Sequence, residues 1–207
     1  PVIPNSGGID LDGLPKNSLP PSQRKKIMIK GYTGFVGQAL VALKACELAA
    51  EQLRGFEVVI YSASIKSRIR ALKLRHIHKV QVTILKKRTP HSEMLQRFSE
   101  ARIYIGISLS DGISTSLLEA MATGCYPIQT DTACANEWFT TRSGSTVKPD
   151  DLRRVSEFVQ LALTSDSLVD SSGQINIQTI ISRASVTNIS ATAMGFYQNL
   201  TNSPKVA

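Results

Sequence analysis

A doubly wound parallel sheet with helices on both faces, an α/β architecture, is the fold class this 207-residue chain predicts. Two observations predict it. From residue 26 onward, short apolar runs rich in β-branched residues alternate with longer helical patterns. The first of those runs leads directly into a glycine-spaced turn, GYTGFVG at 31–37, which opens a helix.

The elements follow in order. Residues 1–25 hold most of the early Pro, Gly, Asn and Ser without a sustained period and read as a hinge or lead-in segment with turns, so the domain proper is expected over 26–207. KIMIK (26–30) is the first strand and 37–53 the first helix. Strands are expected at 56–62, 79–85, 102–108 and 126–130, with helices at 66–74, 90–101 and 115–124 between them. Thr89 before Pro90 reads as an N-cap with proline in the first turn, and Gly124 ends a helix where a left-handed residue is needed. After GSTVKP comes an amphipathic helix over 150–164, with Asp150 and Asp151 at its positive end. Residues 164–173, TSDSLVDSSG, read as a polar loop, and 174–200 as one or two further helices.

Composition narrows the function. The 42% hydrophobic content is that of an ordinary globular protein, and no stretch of about 18 apolar residues offers a membrane span, so the sequence predicts a soluble domain. Pro1, with no initiator Met and no charged-then-apolar leader, reads as a cut inside a longer chain. Cys46, Cys125 and Cys134 lack metal-ligand spacing and read as buried thiols in a reducing, cytoplasmic setting. The formal net charge of +8 favours acidic partners, among them nucleotide diphosphates, nucleic acids and anionic lipid surfaces.

In an open sheet of this kind ligands bind at the carboxyl ends of the strands, which directs attention to loops 31–37, 62–66, 86–90, 108–115 and 130–137. GYTGFVG fits a phosphate loop, because glycines let the backbone approach a diphosphate and the following helix N-terminus is partially positive. It also fits a tight strand-to-helix turn with no ligand. A third reading, an NAD(P)-binding oxidoreductase of short-chain dehydrogenase type, wants an acidic residue about 20 positions on. The chain instead has Ser62 and Ser64, with Lys66 and Arg68 beyond, and none of Tyr32, Tyr61, Tyr104, Tyr126 or Tyr197 is followed four residues later by Lys.

Residues 110–128, SDGISTSLLEAMATGCYPI, carry the most information. They start at a carboxyl-end loop, turn through Gly112 and enter a helix bearing Glu119. If that helix begins near Ser114, backbone amides from about 112 to 116 face the crevice as anion donors. Glu119 then lies a turn or more inside, able to accept two hydrogen bonds from a ribose diol, while Asp111 sits at the mouth for a sugar hydroxyl.

This stretch resembles the nucleotide-sugar-binding half of the GT-B glycosyltransferases of family-4 type (glycosyl transferases group 1). DGISTSLLEAMATGCYPI matches that family's Glu-x7-Glu segment, and TDTACANEW puts Glu137 in the place of a later Glu. VIPNSGGIDLDGLP resembles its hinge segment, and GSTVKPDD its following turn, all in the family's order. The resemblance implies a Rossmann-like C-terminal domain that binds a nucleotide diphosphate sugar as substrate, with no cofactor and no metal. It implies retaining hexosyl transfer to a glycan or lipid-linked acceptor held by an N-terminal domain absent from this chain, so that the fragment alone is inactive. It assigns the ribose to Glu119, the sugar and phosphate to Asp111 with the amides of Gly112, Ile113, Ser114 and Thr115, and the diphosphate to the opening loop with Gly31 and Gly34. A phosphate oxygen, not a dedicated protein base, would take the acceptor proton.

Two departures stand out. Asp111 replaces the usual Glu, and Tyr32 and Val36 occupy the stretch where the family carries an Arg and a Lys. Lys30, or Lys86, Lys87 and Arg88 at the next crevice loop, are the bases expected to supply that charge.

Other signals are weaker. Asp10-Leu11-Asp12 matches a metal-binding Asp-x-Asp but lies in the turn-rich lead-in, and His76, His78 and His91 read as surface or helix-end histidines. Residues 66–79 form a dense basic helix in which Ile69, Leu72 and Leu74 suggest one face on the sheet and one in solvent. With 6% aromatics there is no stacking platform for nucleic acid, and the basic face fits a peripheral contact with an anionic inner membrane face better than a nucleic-acid module.

Overall fold

The structure, a computed structural model, describes residues 7–16, 19–34, 36–110, 112–132 and 134–202. Six parallel strands, β1 (Lys26–Lys30), β2 (Glu57–Tyr61), β3 (Gln81–Ile84), β4 (Ala101–Gly106), β5 (Tyr126–Thr130) and β6 (Ser145–Val147), form one sheet in the order β3-β2-β1-β4-β5-β6. Between and after them run α1 (Ala39–Leu48), α2 (Ile65–His76), α3 (His91–Ser99), α4 (Thr115–Ala122), α5 (Leu152–Thr164), α6 (Asp166–Arg183) and α7 (Val186–Asn202). Strand order and alternation are those of the doubly wound fold expected from the sequence.

The period of two along each strand sorts the core into two layers. Ile27, Ile29, Val58, Ile60, Ile103 and Ile105 point to one face, where Leu43 and Cys46 of α1, Ala71 and Leu74 of α2 and Val155 and Val159 of α5 cover them. Met28, Val59, Tyr61 and Tyr104 point to the other, under Phe98 of α3, Leu117, Leu118 and Met121 of α4 and Ile180 of α6. No helix among the described residues is long and apolar enough to cross a membrane.

The described residues of the lead-in pack on this fold. Ile9 N–H donates to Ala184 O at 2.7 Å and Val186 N–H returns to Ile9 O at 3.1 Å, so residues 8–9 add a short bridge at the α6–α7 junction. Arg24, 7% exposed, donates to Leu19 O, Ala101 O and Thr123 O. Arg102, at 1% exposure, donates to Ala162 O at 2.7 Å and Ser22 O at 2.6 Å and pairs with Asp166 at 2.8 Å. One buried guanidinium thus ties the lead-in, β4, the end of α5 and the start of α6, where the α5 terminal carbonyls favour a cation.

Several boundaries differ from the sequence expectation. The polar stretch at 164–173 is not a loop: α5 ends at Thr164, and α6 starts at Asp166 and runs unbroken to Arg183. Its buried face is Val169, Ser172, Gly173, Asn176 and Ile180, small and polar residues at helical spacing. Ser172 Oγ donates to Ser143 O at 2.7 Å, and Asn176 Nδ2 donates to Ser143 O at 2.9 Å and Cys125 O at 3.1 Å, so the helix hydrogen-bonds to the loops it packs on. α1 is shorter than the expected 37–53, because the chain breaks into turns after Leu48 while Leu53 still packs inward. Thr89 is not the cap of α3. Pro90 takes that position, and Thr89 Oγ1 instead closes its own turn on Lys86 O at 2.8 Å. Gly124 does hold the left-handed conformation expected of it, with φ at 82°.

Two outcomes follow. A Cβ at Gly173 would sit 2.8 Å from Gly124 O and 2.9 Å from Pro21 Cγ. Gly173→Ala is therefore expected to destabilise by about 1–3 kcal/mol, although in an open helix the same change stabilises by about 1 kcal/mol; urea unfolding reads the sign. Burial pushes the Cys46 thiol up to about 12 and the Cys125 thiol up to about 11, while Cys134 is half-exposed. An Ellman's titration of the native chain at pH 8 should find one fast-reacting thiol, and all three only after unfolding.

Candidate functional site

At the carboxyl end of the sheet the loop after β1 is stitched to the loop after β4. Leu109 N–H donates to Val36 O at 2.7 Å and Gln38 N–H to Ile107 O at 3.0 Å. The three glycines there have different jobs. A Cβ on Gly31 would lie 2.4 Å from Ile60 Cγ2, and one on Gly37 would lie 2.2 Å from Tyr32 Cδ2, so both are required by packing. Gly34, at φ 144° with nothing near its Cβ position, faces open space and lines a cavity of about 570 Å³ with Thr33, Gln38, Ser64 and Lys66. Thr33 Oγ1 and Ser64 Oγ, 2.7 Å apart, form part of that wall, and Ser64 also caps α2 by accepting from Ser67 N–H.

The α4 end of the crevice holds most of the residues expected from the sequence. Ser114 is the N-cap of α4, and the first helical bonds run from Leu117 and Leu118 N–H to Ser114 O. Thr115 and Ser116 N–H have no acceptor among the described residues, which makes this turn a source of anion donors. Lys30 Nζ donates to Ser114 Oγ at 3.1 Å, its ammonium resting 5.0 Å from the Tyr32 ring centroid. Strand end, helix cap and lysine thus meet at one point. Gly112 is exposed with open space around it, and Ile113 packs on the second core layer. Asp111 lies outside the described residues.

Glu119, one turn further along α4, is 7% exposed. It lines a cavity of about 270 Å³ with Tyr61, Ser62, Lys86, Lys87, His91 and Thr115, among others. Burial and the neighbouring Tyr104 push the Tyr61 phenol well above its ordinary range, so it stays protonated there. Ser62 holds φ at 51°, a left-handed backbone that costs a non-glycine residue about 1–3 kcal/mol and is found where the surroundings dictate it. Of the basic cluster, Lys86 and Lys87 reach the cavity, while Arg88 is exposed and not part of its lining.

His91 is the residue the sequence reading missed. It opens α3 and its Nε2 lies 2.6 Å from Glu119 Oε1, with the imidazole 69% exposed over a carboxylate side chain that is 9% exposed. A second cavity, about 480 Å³, is lined by Gly8, Asp10, Leu14 and Val186 together with Thr115, His91 and Glu119. The pair lines both cavities. The only hint in the sequence was position: His91 begins a helix directly after a carboxyl-end loop.

Glu137 is exposed and lines a separate groove of about 580 Å³ with Trp138 and Arg183, whose guanidinium stacks 4.5 Å over the indole. Asp10 Oδ1 accepts from Asp12 N–H at 3.1 Å, closing a local turn. No group of three or more His, Cys, Asp or Glu side chains able to hold a metal occurs among the described residues.

Comparison with known proteins places the chain by family and fold. The family Glycosyl transferases group 1 matches residues 31–165, from the first crevice loop to the end of α5. No curated protein matches by sequence. Among solved structures, the C-terminal domain of a glycosyl transferase group 1 family protein from Francisella tularensis superposes with a TM-score of 0.74 at 15% identity, over 85% of this chain and 98% of that one. A glycosyltransferase from Rickettsia africae gives 0.75 at 16% identity, over 95% of this chain and 56% of that one. The pneumococcal O-GlcNAc transferase GtfA, solved with UDP and GlcNAc, gives 0.74 at 18% identity, over 97% of this chain and 40% of that one. The chain therefore spans about half or less of those two longer enzymes. A family match over more than half of a chain wound in this way makes it a member of the glycosyl transferases group 1, folded as the C-terminal domain of a GT-B enzyme.

Proposed function

We propose that this chain is the donor-binding half of a retaining glycosyltransferase, taking a nucleotide diphosphate sugar and passing a hexosyl group to a glycan or lipid-linked acceptor held by another domain. The observation that carries the reading is the buried Glu119 carboxylate in a cavity rimmed by Lys86 and Lys87, beside the amide-rich start of α4. A carboxylate in that position suits a ribose diol, because each hydroxyl can donate to it with charge-assisted strength. The diphosphate then falls to the N-terminus of α4 and Lys30, with the face of the Gly34 loop alongside. Three solved relatives hold UDP, and the one from Anabaena also holds glucose, which supports a nucleotide-sugar donor.

In this reading His91 positions the ribose acceptor by engaging one oxygen of Glu119 and turning the other to the nucleotide. Transfer forms the bond from the acceptor oxygen to the anomeric carbon as the bond to the phosphate oxygen breaks, and the acceptor proton passes to a phosphate oxygen. No protein base and no metal ion is assigned a step. What this half supplies is position and stabilisation of the leaving diphosphate, the two effects that dominate such transfers.

Calorimetric titration with UDP, GDP and ADP is the direct test. One of them should bind saturably and equally well in EDTA or magnesium, and Glu119→Gln should weaken it about ten- to a hundredfold, the worth of charge-assisted hydrogen bonds. Absence of any diphosphate binding, or a Glu119→Gln variant that binds unchanged, would overturn the assignment. Lys30→Ala should weaken the diphosphate more than the bare nucleoside, and the difference should shrink as salt rises. The chain alone should show little or no sugar transfer in a donor-turnover assay.

A further inference from the structure

The outer face of α2 combines exposed aliphatic side chains with a dense set of bases. Ser67, Ala71 and Leu74 are buried against the sheet, as the fold requires. On the opposite side Ile65, Ile69, Leu72 and His76 recur at intervals of four, three and four residues, which aligns them in one stripe. That stripe is in solvent: Ile65 is 77% exposed, Ile69 64% and Leu72 42%, and Ile77 at the helix end is 63% exposed. At about 100° per residue, Arg68 and Arg75 fall along one border of the stripe and Lys66 and Lys73 along the other.

The charge is one-sided. Between Glu57 and Glu93 there is no acidic residue, and nine of the chain's 24 Lys and Arg and all three His lie there. The other fifteen basic residues stand against sixteen acidic ones, so the +8 excess belongs to this segment. Of the α2 bases, Arg70 is ion-paired with Glu47 of α1, and no carboxylate among the described residues pairs with Lys66, Arg68, Lys73, Arg75 or Lys79. The segment builds α2, the edge strand β3 and the loop with Lys86, Lys87 and Arg88, which puts the charge along one edge of the sheet.

We propose that this face of α2 docks the protein on an anionic lipid surface. The stripe would enter the headgroup boundary while the flanking guanidinium and ammonium groups meet lipid phosphates, the layout of a helix lying in a membrane interface. Nucleic acid would use the bases but has no use for exposed aliphatic side chains, and α2 carries no Phe, Tyr or Trp for a base to stack on. A protein partner would need complementary acids, but nothing in the charge pattern would call for a stripe bordered by bases on both sides. The stripe begins at Ile65 and Lys66, which also line the crevice cavity beside Gly34. A docked α2 therefore holds the crevice mouth close to the lipid.

The inference does not depend on nucleotide binding, and its test uses none. The chain is sedimented with vesicles of phosphatidylglycerol and phosphatidylcholine, with vesicles of phosphatidylcholine alone, and in parallel is titrated with polyuridylate. Binding to the anionic vesicles is expected, falling with salt and absent from phosphatidylcholine. Ile69→Ser combined with Leu72→Ser, both outward-facing and charge-neutral, should reduce it about tenfold or more while leaving circular dichroism and melting temperature unchanged. Polyuridylate binding, where present, should be weak and not depend on the apolar stripe. The proposal is overturned by no binding to anionic vesicles at low salt, by vesicle binding that the folded double variant retains, or by self-association lost in that variant without any vesicle binding.

Discussion

The position of β1 governs everything else in this domain. It lies between β2 and β4, and the chain leaves β1 for α1 on one face of the sheet but leaves β4 for α4 on the other. Two adjacent strands whose exits diverge must leave a crevice between them, and right-handed crossovers allow no other arrangement. Because both faces of the sheet are sealed, with Ile27, Met28 and Ile29 at 0% exposure, polar chemistry has nowhere to gather except the strand ends. Lys30 sits at the last residue of β1 and reaches across the crevice to Ser114, so one side chain spans the divergence that the topology creates. The stitch from Leu109 to Val36 ties the loops after β1 and β4 together beside it.

Within that frame the glycine-spaced loop resolves into packing and access. Gly31 and Gly37 are there because β2 and Tyr32 leave no room for a Cβ, and any fold that brought these strand ends together would demand the same. Gly34 alone turns an unencumbered backbone outward at a φ that favours glycine. A spacing of three glycines therefore carries both a turn requirement and an open phosphate-sized face, at different positions. That is why the motif alone could not separate a ligand loop from a tight turn.

The parts legible in the sequence were those governed by burial. The strands could be read because apolar runs such as KIMIK and FEVVIY satisfy both layers at once, and Gly124 because a left-handed C-cap has few candidates. α6 was illegible for the opposite reason. Its inner face is Ser172, Gly173 and Asn176, which hold the loop carbonyls of Ser143 and Cys125 and pass close to Gly124, and that composition reads as solvent-facing turn. Thr89 and Pro90 were read from a general capping preference, but the turn at 86–89 uses the threonine hydroxyl for itself. His91 was invisible because its partner is 28 residues away and only tertiary contact pairs them. Glu119 could be singled out from its neighbours in the chain, whereas the residue that touches it could not.

The charge distribution joins the crevice to the edge of the sheet. Lys86 and Lys87 lie on the cavity rim, whereas Lys73, Arg75 and Lys79 lie along or just beyond α2, yet all belong to one acid-free stretch. At physiological salt a field decays over about 8 Å, so each cluster acts mainly on what it faces. In the reading proposed above, the rim charges attract a diphosphate and the helix charges attract a lipid surface without one depleting the other. The first loop, GYTGFVG, carries no Lys or Arg of its own. Lys86 and Lys87, entering from the loop after β3, line the cavity of His91 and Glu119 and not the one beside Gly34. Positive charge thus reaches the crevice from Lys30 at the end of β1, and reaches the Glu119 cavity from the loop after β3, at the edge where the chain's excess charge lies.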